Sequence, residues 1–160
     1  MPHRKLALMT ASLLATAALT VQVAMAQDAE GSPAAMPVTE VDVTLQEFAV
    51  LPDVSSVPAG AVTFNATNIG PMDPHELVVV RTDLPPGELP TREDGSFDED
   101  AEGVAVIGEI EEFDPGLTQS MTLDLEPGSY VLLCNLVEEE DGEVEAHYAL
   151  GMWVGLEVTG

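Results

Sequence analysis

Apolar and polar residues alternate along short stretches of the chain, and this pattern excludes most folds. Four stretches carry an apolar side chain at every second position: 41–46, 62–67, 121–125 and 152–159. A period of two puts successive side chains on opposite faces of a β-strand, so each stretch predicts a strand with one buried face. Two continuous apolar runs, 77–80 and 130–133, predict strands that are covered on both faces. The chain is therefore expected to be all-β.

Proline and glycine mark the turns between these strands. They stand at 57–60, 114–116 and 126–128, in positions that β-turns favour. About seven to eight short strands separated by such turns predict an antiparallel Greek-key β-sandwich. The longest irregular segment is 83–103, which is rich in proline and acidic residues and leaves room for one short helix.

Composition supports one domain and excludes two classes of partner. The chain has 160 residues, of which 46% are hydrophobic, so it can bury a proper core. Only 4 Lys+Arg stand against 29 Asp+Glu, a formal net charge of −25. Because cationic groups are so scarce, we expect no binding to nucleic acid through its phosphates and none to anionic membranes. The predicted domain spans residues 38–160.

The N-terminus has the layout of an export signal. Arg4 and Lys5 precede an apolar stretch, and Ala24 and Ala26 form the small-residue site that a signal peptidase cleaves. We therefore predict a signal peptide at 1–26 and a flexible acidic spacer at 27–37, with the mature protein exported to the periplasm or the extracellular space. An uncleaved signal anchor is the alternative, since an apolar stretch of about 18 residues is just long enough to span a bilayer.

Metal-binding side chains are scarce in the predicted domain and stand at strand ends. It contains two histidines, His75 and His147, and one cysteine, Cys134; Met152 follows the second histidine by five positions. Two imidazoles, one thiolate and a weak thioether are the donor set of a trigonal electron-transfer copper site. A lone thiol is a liability in an oxidising compartment, which also favours a metal-bound role for Cys134.

With these residues in place, the chain resembles the cupredoxins, the small blue copper proteins of the plastocyanin and azurin type. The resemblance covers roughly residues 38–160 and implies one type 1 copper ion held by His75, Cys134, His147 and Met152. It implies that His147 is the exposed exit for the electron, that His75 is the buried equatorial ligand, and that Met152 is the axial ligand. It further implies a monomer that is not an enzyme and shuttles single electrons between protein redox partners, which its acidic surface would select to be cationic.

The chain departs from the family pattern at two positions. Twelve residues, 135–146, separate Cys134 from His147, whereas family members usually have two to four at this point. The mostly acidic run 137–144 contains Gly142, and we expect it to protrude as an inserted hairpin. Glu76 directly follows His75, where many members carry a small hydrogen-bonding residue.

Three other readings remain open at the sequence level. The same four ligands would suit a periplasmic copper chaperone or sequestration module with a more open site. A β-sandwich binding module without metal would make the cysteine and histidines ordinary core residues. Asp73, Glu76 or Glu145 beside the histidines would instead favour zinc or a harder ion.

Overall fold

The protein is described by a computed structural model that covers residues 38–140 and 142–160. The predicted signal peptide, 1–26, and spacer, 27–37, lie outside the described residues and remain predictions. Within the described residues, eleven strands and one short 3₁₀ helix make up the fold. The strands are β1 Thr39–Gln46, β2 Ala49–Pro52, β3 Ser56–Pro58, β4 Gly60–Asn68, β5 His75–Thr82, β6 Val104–Phe113, β7 Thr118–Leu125, β8 Gly128–Leu133, β9 Val137–Glu140, β10 Glu143–Ala146 and β11 Trp153–Thr159.

Two sheets face each other and a separate hairpin projects from one end. One sheet has the strand order β2-β1-β4-β7, the other β3-β11-β8-β5-β6, and β9 pairs only with β10. The predicted all-β sandwich is confirmed, and so is the inserted hairpin. Within the described residues no helix is long and apolar enough to cross a membrane.

The sheets differ from the expectation in strand count and direction. Eleven strands are present because β2, β3 and the two hairpin strands are short segments that alternation does not reveal. Two pairs, β1 with β4 and β11 with β3, are parallel, so the sheets are mixed rather than purely antiparallel. Between β1 and β4 the chain crosses to the other sheet and forms β3 there. Such a crossover allows β4 to return parallel to β1.

The main core lies between the sheets, and a second one lies outside the five-stranded sheet. Leu77 and Val79 face the main core, whereas Val78 and Val80 face the second cluster, which explains why the run 77–80 is apolar throughout. The long segment 83–103 covers the second cluster. It contains the 3₁₀ helix at Pro86–Glu88, the short helix that the sequence left room for.

Candidate metal centre

The four predicted ligands stand at strand ends on one end of the sandwich. His75 is the first residue of β5, and Cys134 directly follows β8. His147 directly follows β10, and Met152 directly precedes β11. The three side chains of His75, Cys134 and His147 come together, with one ligand atom from each within 4.8 Å of the others. All four residues are 0% exposed.

The donor atoms of the three converging residues surround a point at which a metal ion fits. The Nδ1 atoms of His75 and His147 are 3.3 Å apart, and Cys134 Sγ lies 3.3 Å from Nδ1 of His147 and 4.0 Å from Nδ1 of His75. With metal bonds of about 2.0 Å to nitrogen and about 2.3 Å to sulfur, trigonal ligands would lie about 3.5 Å (N to N) and about 3.7 Å (N to S) apart. The observed triangle is close to these values, so the residues fit the ion.

Met152 is tied to the centre through its backbone. Its carbonyl accepts a hydrogen bond from the Cys134 N–H (3.0 Å), and its own N–H donates to the His147 carbonyl (3.0 Å). The side chain belongs to the same buried cluster as Cys134. The fold thus brings Met152 next to the other three residues, on the last turn before β11.

A hydrogen-bond network joins the two segments that supply His75 and Cys134. The Asn135 N–H donates to Oε1 of Glu76 at 2.8 Å, which links the residue after the cysteine to the residue after the histidine. The Asn135 side-chain oxygen accepts from the Phe97 N–H (2.6 Å), and its amide donates to the Phe97 carbonyl (3.1 Å). Glu76 is therefore a residue that positions both segments, which answers the question raised by the departure at this position.

Two further residues hold the loop that leads into His75. The buried Asn68 side chain donates to the carbonyls of Asp73 and Phe113, and its oxygen accepts from the Gly70 N–H. Glu47 accepts from the Asp73 N–H at 2.8 Å. Because these bonds connect β4 and the turn after β1 to the loop, the position of His75 does not depend on the loop alone.

The expected exposure of His147 is wrong. The residue is 0% exposed, because the hairpin formed by β9 and β10 and the Phe48 ring cover its outer edge. The Phe48 and His147 ring centroids are 5.2 Å apart, and Oε2 of Glu138 lies 3.6 Å from Nε2 of His147. The twelve-residue insertion therefore covers an edge that the resemblance predicts to be open to solvent.

Burial sets the protonation of two of the converging groups, His75 and Cys134. Burial, and then the neighbouring His147, lower the pKa of His75, so its imidazole is neutral at pH 7 and can offer a lone pair. Burial raises the pKa of the Cys134 thiol to about 12. A thiol of this kind loses its proton to become a ligand only when a cation replaces that proton.

The acidic groups near the centre have different roles. Glu138 is half-buried against His147, whereas its neighbour Glu139 is exposed, as surface residues of an acidic run usually are. Asp73 groups with Glu138 and His147, but neither Glu76 nor Glu145 joins a described group of potential ligands. Burial alone would raise the pKa of Glu47, but the N–H groups of Asp73 and Met72 donate to its carboxylate and hold the pKa below its ordinary value.

Several residues around the centre could not be found from the sequence. Glu47 and Phe48 lie in the turn between β1 and β2, far along the chain from the ligands, and Asn68 is the last residue of β4. Nothing in the local pattern marks them, because each acts on a backbone group or ring that only the fold brings near.

Trp153 is 37% exposed, and its ring lies against Gly87 of the 3₁₀ helix, so it packs on the long segment.

Comparison with solved structures identifies the fold. The chain matches reduced auracyanin from Roseiflexus castenholzii with a TM-score of 0.50 and 22% identity, over 77% of this chain and 97% of that one. It matches rusticyanin from Thiobacillus ferrooxidans with a TM-score of 0.50 and 15% identity, over 76% of this chain and 77% of that one. Both are cupredoxins. The chain has the cupredoxin fold.

Sequence comparison gives partial matches to larger proteins. One match is the iron uptake system component EfeO of Yersinia pestis, 43% identical over 49 residues, which are 31% of this chain and 13% of that protein. Another is the protein of the same name from Yersinia pseudotuberculosis, 29% identical over 106 residues, which are 63% of this chain and 26% of that protein. The chain thus spans at most about a quarter of these relatives. No protein-family model matches it.

Proposed function

We propose that this chain, which has the cupredoxin fold, is an exported type 1 copper protein that carries single electrons between redox partners. His75, Cys134 and His147 would hold the copper, and Met152 would supply its fourth, weaker ligand. One observation carries the proposal: three donor atoms from separate strand ends converge at 3.3–4.0 Å in a fully buried pocket.

The donor chemistry favours copper over other ions. A thiolate, two imidazoles and a thioether suit copper in both its oxidation states, whereas harder ions prefer carboxylate and water oxygens. Copper in such a site takes up and releases one electron. The surrounding sandwich, the Glu76–Asn135 bond and the Cys134–Met152 backbone bond keep the donors in place in both states, so little has to rearrange when the electron moves.

Burial favours a carrier over the alternative of a copper chaperone or sequestration module. A protein that delivers its metal needs an open site from which a recipient can take the ion. Here all four proposed ligands are 0% exposed, and the hairpin and Phe48 cover the outer edge of His147. An electron can pass through the covering side chains, whereas a metal-binding side chain of a recipient protein cannot reach the ion through them.

The charge of the chain bears on its partners. With residues 1–26 removed, two arginines remain against 29 acidic residues, a formal charge of −27. A field of this sign attracts cationic redox proteins and repels acidic ones. We propose that the protein works as a monomer outside the cytoplasm, and that it transfers electrons rather than catalysing a reaction of its own.

The test is to load the purified protein with one equivalent of Cu(II) and to record its visible absorption and EPR spectra. We expect an intense thiolate-to-copper band and a narrow copper hyperfine splitting. Cys134→Ser removes the thiolate and should abolish the band, while Met121→Leu, which changes a methionine packed against the core from the other sheet, should leave it unchanged. A colourless wild-type protein, or a blue Cys134→Ser variant, would contradict the proposal.

A second candidate function is suggested by the EfeO relatives, whose name describes a component of an iron uptake system. In that case the copper would exchange its electron with iron. Mixing the oxidised protein with Fe(II) should then bleach the visible band rapidly, with one Fe(III) formed for each copper reduced. A band that ascorbate bleaches and Fe(II) leaves intact would rule this candidate out while leaving the electron carrier standing.

A further inference from the structure

A second group of potential metal ligands lies on the outer side of His147. One ligand atom each from Asp73, Glu138 and His147 lies within 4.8 Å of the others. Nδ1 of His147 points at Cys134 and His75, so Nε2, on the opposite side of the ring, is the atom that faces Glu138. Both carboxylates are half-buried.

Among the described residues, the Nε2 atom of His147 has no hydrogen-bond partner. This nitrogen is fully buried, since the whole residue is 0% exposed. Its separation of 3.6 Å from Oε2 of Glu138 is too long for a hydrogen bond. Two ligands that share a cation at about 2.1 Å in tetrahedral geometry lie about 3.4 Å apart. The gap between Nε2 and Glu138 is therefore close to the gap that a bound cation leaves between its ligands.

Electrostatics also favour a cation at this position. Asp73 and Glu138 lie close together, and Glu47 accepts a hydrogen bond from the Asp73 N–H. In the part of the chain that the structure describes, the two arginines pair elsewhere: Arg81 with Glu126, and Arg92 with Asp98 and Asp100. Neither arginine therefore offsets the repulsion between the two carboxylates. A divalent cation bound between them would remove this repulsion.

An approach from solvent exists. A surface pocket lined by Met72, Asp73, Pro74, Glu138 and Glu139 leads to the two carboxylates. Met72 at its mouth is 77% exposed. A hydrated ion can reach Asp73 and Glu138 through this pocket while the other face of the histidine ring stays enclosed.

We infer that Asp73, Glu138 and Nε2 of His147 form a second metal site, distinct from the centre at Nδ1, that takes a divalent first-row transition metal ion. Two carboxylate oxygens and one imidazole nitrogen suit Mn²⁺, Fe²⁺ or Zn²⁺ rather than a soft ion. In the metal-free protein Nε2 would bind the ion with its lone pair while the ring proton stays on Nδ1; with the first centre filled, the Nε2 proton would have to leave to solvent before Nε2 could bind a second ion. The inserted hairpin supplies Glu138 and is thereby the element that creates the site.

The test uses Mn²⁺, because this ion avoids thiolates and reports the second site whether or not copper fills the first. The full protein, both metal-free and loaded with Cu(I), is titrated with Mn²⁺ in 0.15 M NaCl, which screens diffuse binding to the acidic surface. Loss of the EPR signal of free Mn²⁺ measures binding. We expect one site that is tighter than all others; in the Cu(I) form it should be weaker and should tighten as pH rises, because the Nε2 proton must then be released.

Matched variants identify the ligands. Asp73→Asn and Glu138→Gln should each weaken that site at least about tenfold, the scale of losing a group that supports a metal. Glu143→Gln removes the same charge from an exposed position on the other strand of the hairpin, outside the pocket, and should leave the site in place. Amides of the same shape reduce repulsion in the cluster, so the variants should fold, which circular dichroism checks. Equal binding by all four proteins, no tight site in the wild type, or a tight site that Cu(I) abolishes would overturn the inference.

Discussion

Met152 is the residue whose role is most open to a direct test. The residue is 0% exposed, and its backbone forms hydrogen bonds with both Cys134 and His147. Its thioether is therefore either an axial metal ligand or simply part of the core. Met152→Leu conserves volume and should cost less than about 1.5 kcal/mol of stability. If the thioether stabilises Cu(II), its loss should keep the colour and raise the reduction potential by at least about 60 mV, a tenfold change in equilibrium constant.

Protein-film voltammetry of the copper-loaded wild type and variant measures this shift. Met121→Leu, the same substitution on the opposite sheet, is the control and should not change the potential. An unchanged potential in Met152→Leu would mean that Met152 belongs only to the core.

Glu76 should make the stability of the metal-free protein depend on pH. Burial is the main cause that raises its pKa from 4.5 to about 7, and the neighbouring carboxylates of Glu109, Glu99 and Glu111 raise it further, against the lowering effect of the Asn135 N–H. The folded state therefore holds a proton that the unfolded state has lost, and stability falls as pH rises from 4.5 to 7. At about 1.4 kcal/mol per pKa unit, the loss amounts to about 3.5 kcal/mol at most.

Glu76→Gln tests this because the amide oxygen can still accept from the Asn135 N–H. Urea unfolding should give equal free energies for wild type and variant near pH 4.5 and a more stable variant at pH 8. Glu102→Gln, which removes an exposed carboxylate in the same long segment, should show a much smaller gain. A constant difference between wild type and Glu76→Gln across this pH range would contradict the assigned ionisation.

The ligand residues could be predicted from the sequence, whereas the residues that position them could not. His75, Cys134 and His147 stand out because the predicted domain holds no other cysteine or histidine. Asn68 and Glu47 are common residue types, and each bonds to backbone groups that lie close only after folding. The exposure of His147 was predicted wrongly for a related reason: the sequence shows that a hairpin is inserted, but not on which side of the ring it lies.

At the scale of elements, the hairpin of β9 and β10 is an addition to the sandwich rather than a part of it. Its strands pair only with each other, and its base is closed by a hydrogen bond from the His147 N–H to the Leu136 carbonyl at 2.9 Å. Lengthening a closed loop costs only about 0.6 kcal/mol per doubling. The twelve residues between Cys134 and His147 can therefore be accommodated without moving either ligand.

Deleting residues 138–143 should preserve the copper spectrum and speed electron exchange between two copies of the protein. The deletion removes five acidic residues and uncovers the outer edge of His147, so two molecules can approach more closely with less repulsion. NMR line broadening in mixtures of oxidised and reduced protein measures the self-exchange rate, and its dependence on NaCl should become weaker.

The double substitution Glu139→Gln and Glu143→Gln separates charge from cover, since it keeps the hairpin while removing two exposed carboxylates. This variant should gain only part of the rate. Loss of the visible band on deletion would show instead that the hairpin shapes the copper site. The hairpin would then be a part of the site and not merely an addition to the sandwich.

The strands themselves were predictable to the extent that one face of each is buried. Residues 152–159 alternate in burial as they do in polarity, with Leu156 and Val158 buried and Glu157 exposed. The short strands β2 and β3 were not predicted, because three or four residues are too few to show a period. Their pairing is decided by neighbouring strands, which also produces the two parallel pairs.

At the scale of the whole molecule, charge and packing oppose each other. The two arginines of the described residues each pair with carboxylates, and the Arg81–Glu126 pair lies at the surface, where such pairs stabilise little. Two apolar clusters, one between the sheets and one beneath the segment 83–103, hold the fold against repulsion among the acidic groups. The net repulsion should therefore be visible in the stability of the protein.

We expect the melting temperature to rise steadily as NaCl is raised from 0.01 to 0.5 M. The screening length falls from about 30 Å to below about 8 Å over this range, so repulsion between carboxylates on different strands is lost while contacts within the core are not. Calorimetry of the metal-free protein measures the rise, and KCl at the same ionic strength should act equally. Mn²⁺ or Mg²⁺ salts at matched ionic strength show whether divalent ions add anything specific. A melting temperature that is flat or falls with NaCl would mean that the few ion pairs outweigh the repulsion, and that the excess of acidic residues costs the fold nothing.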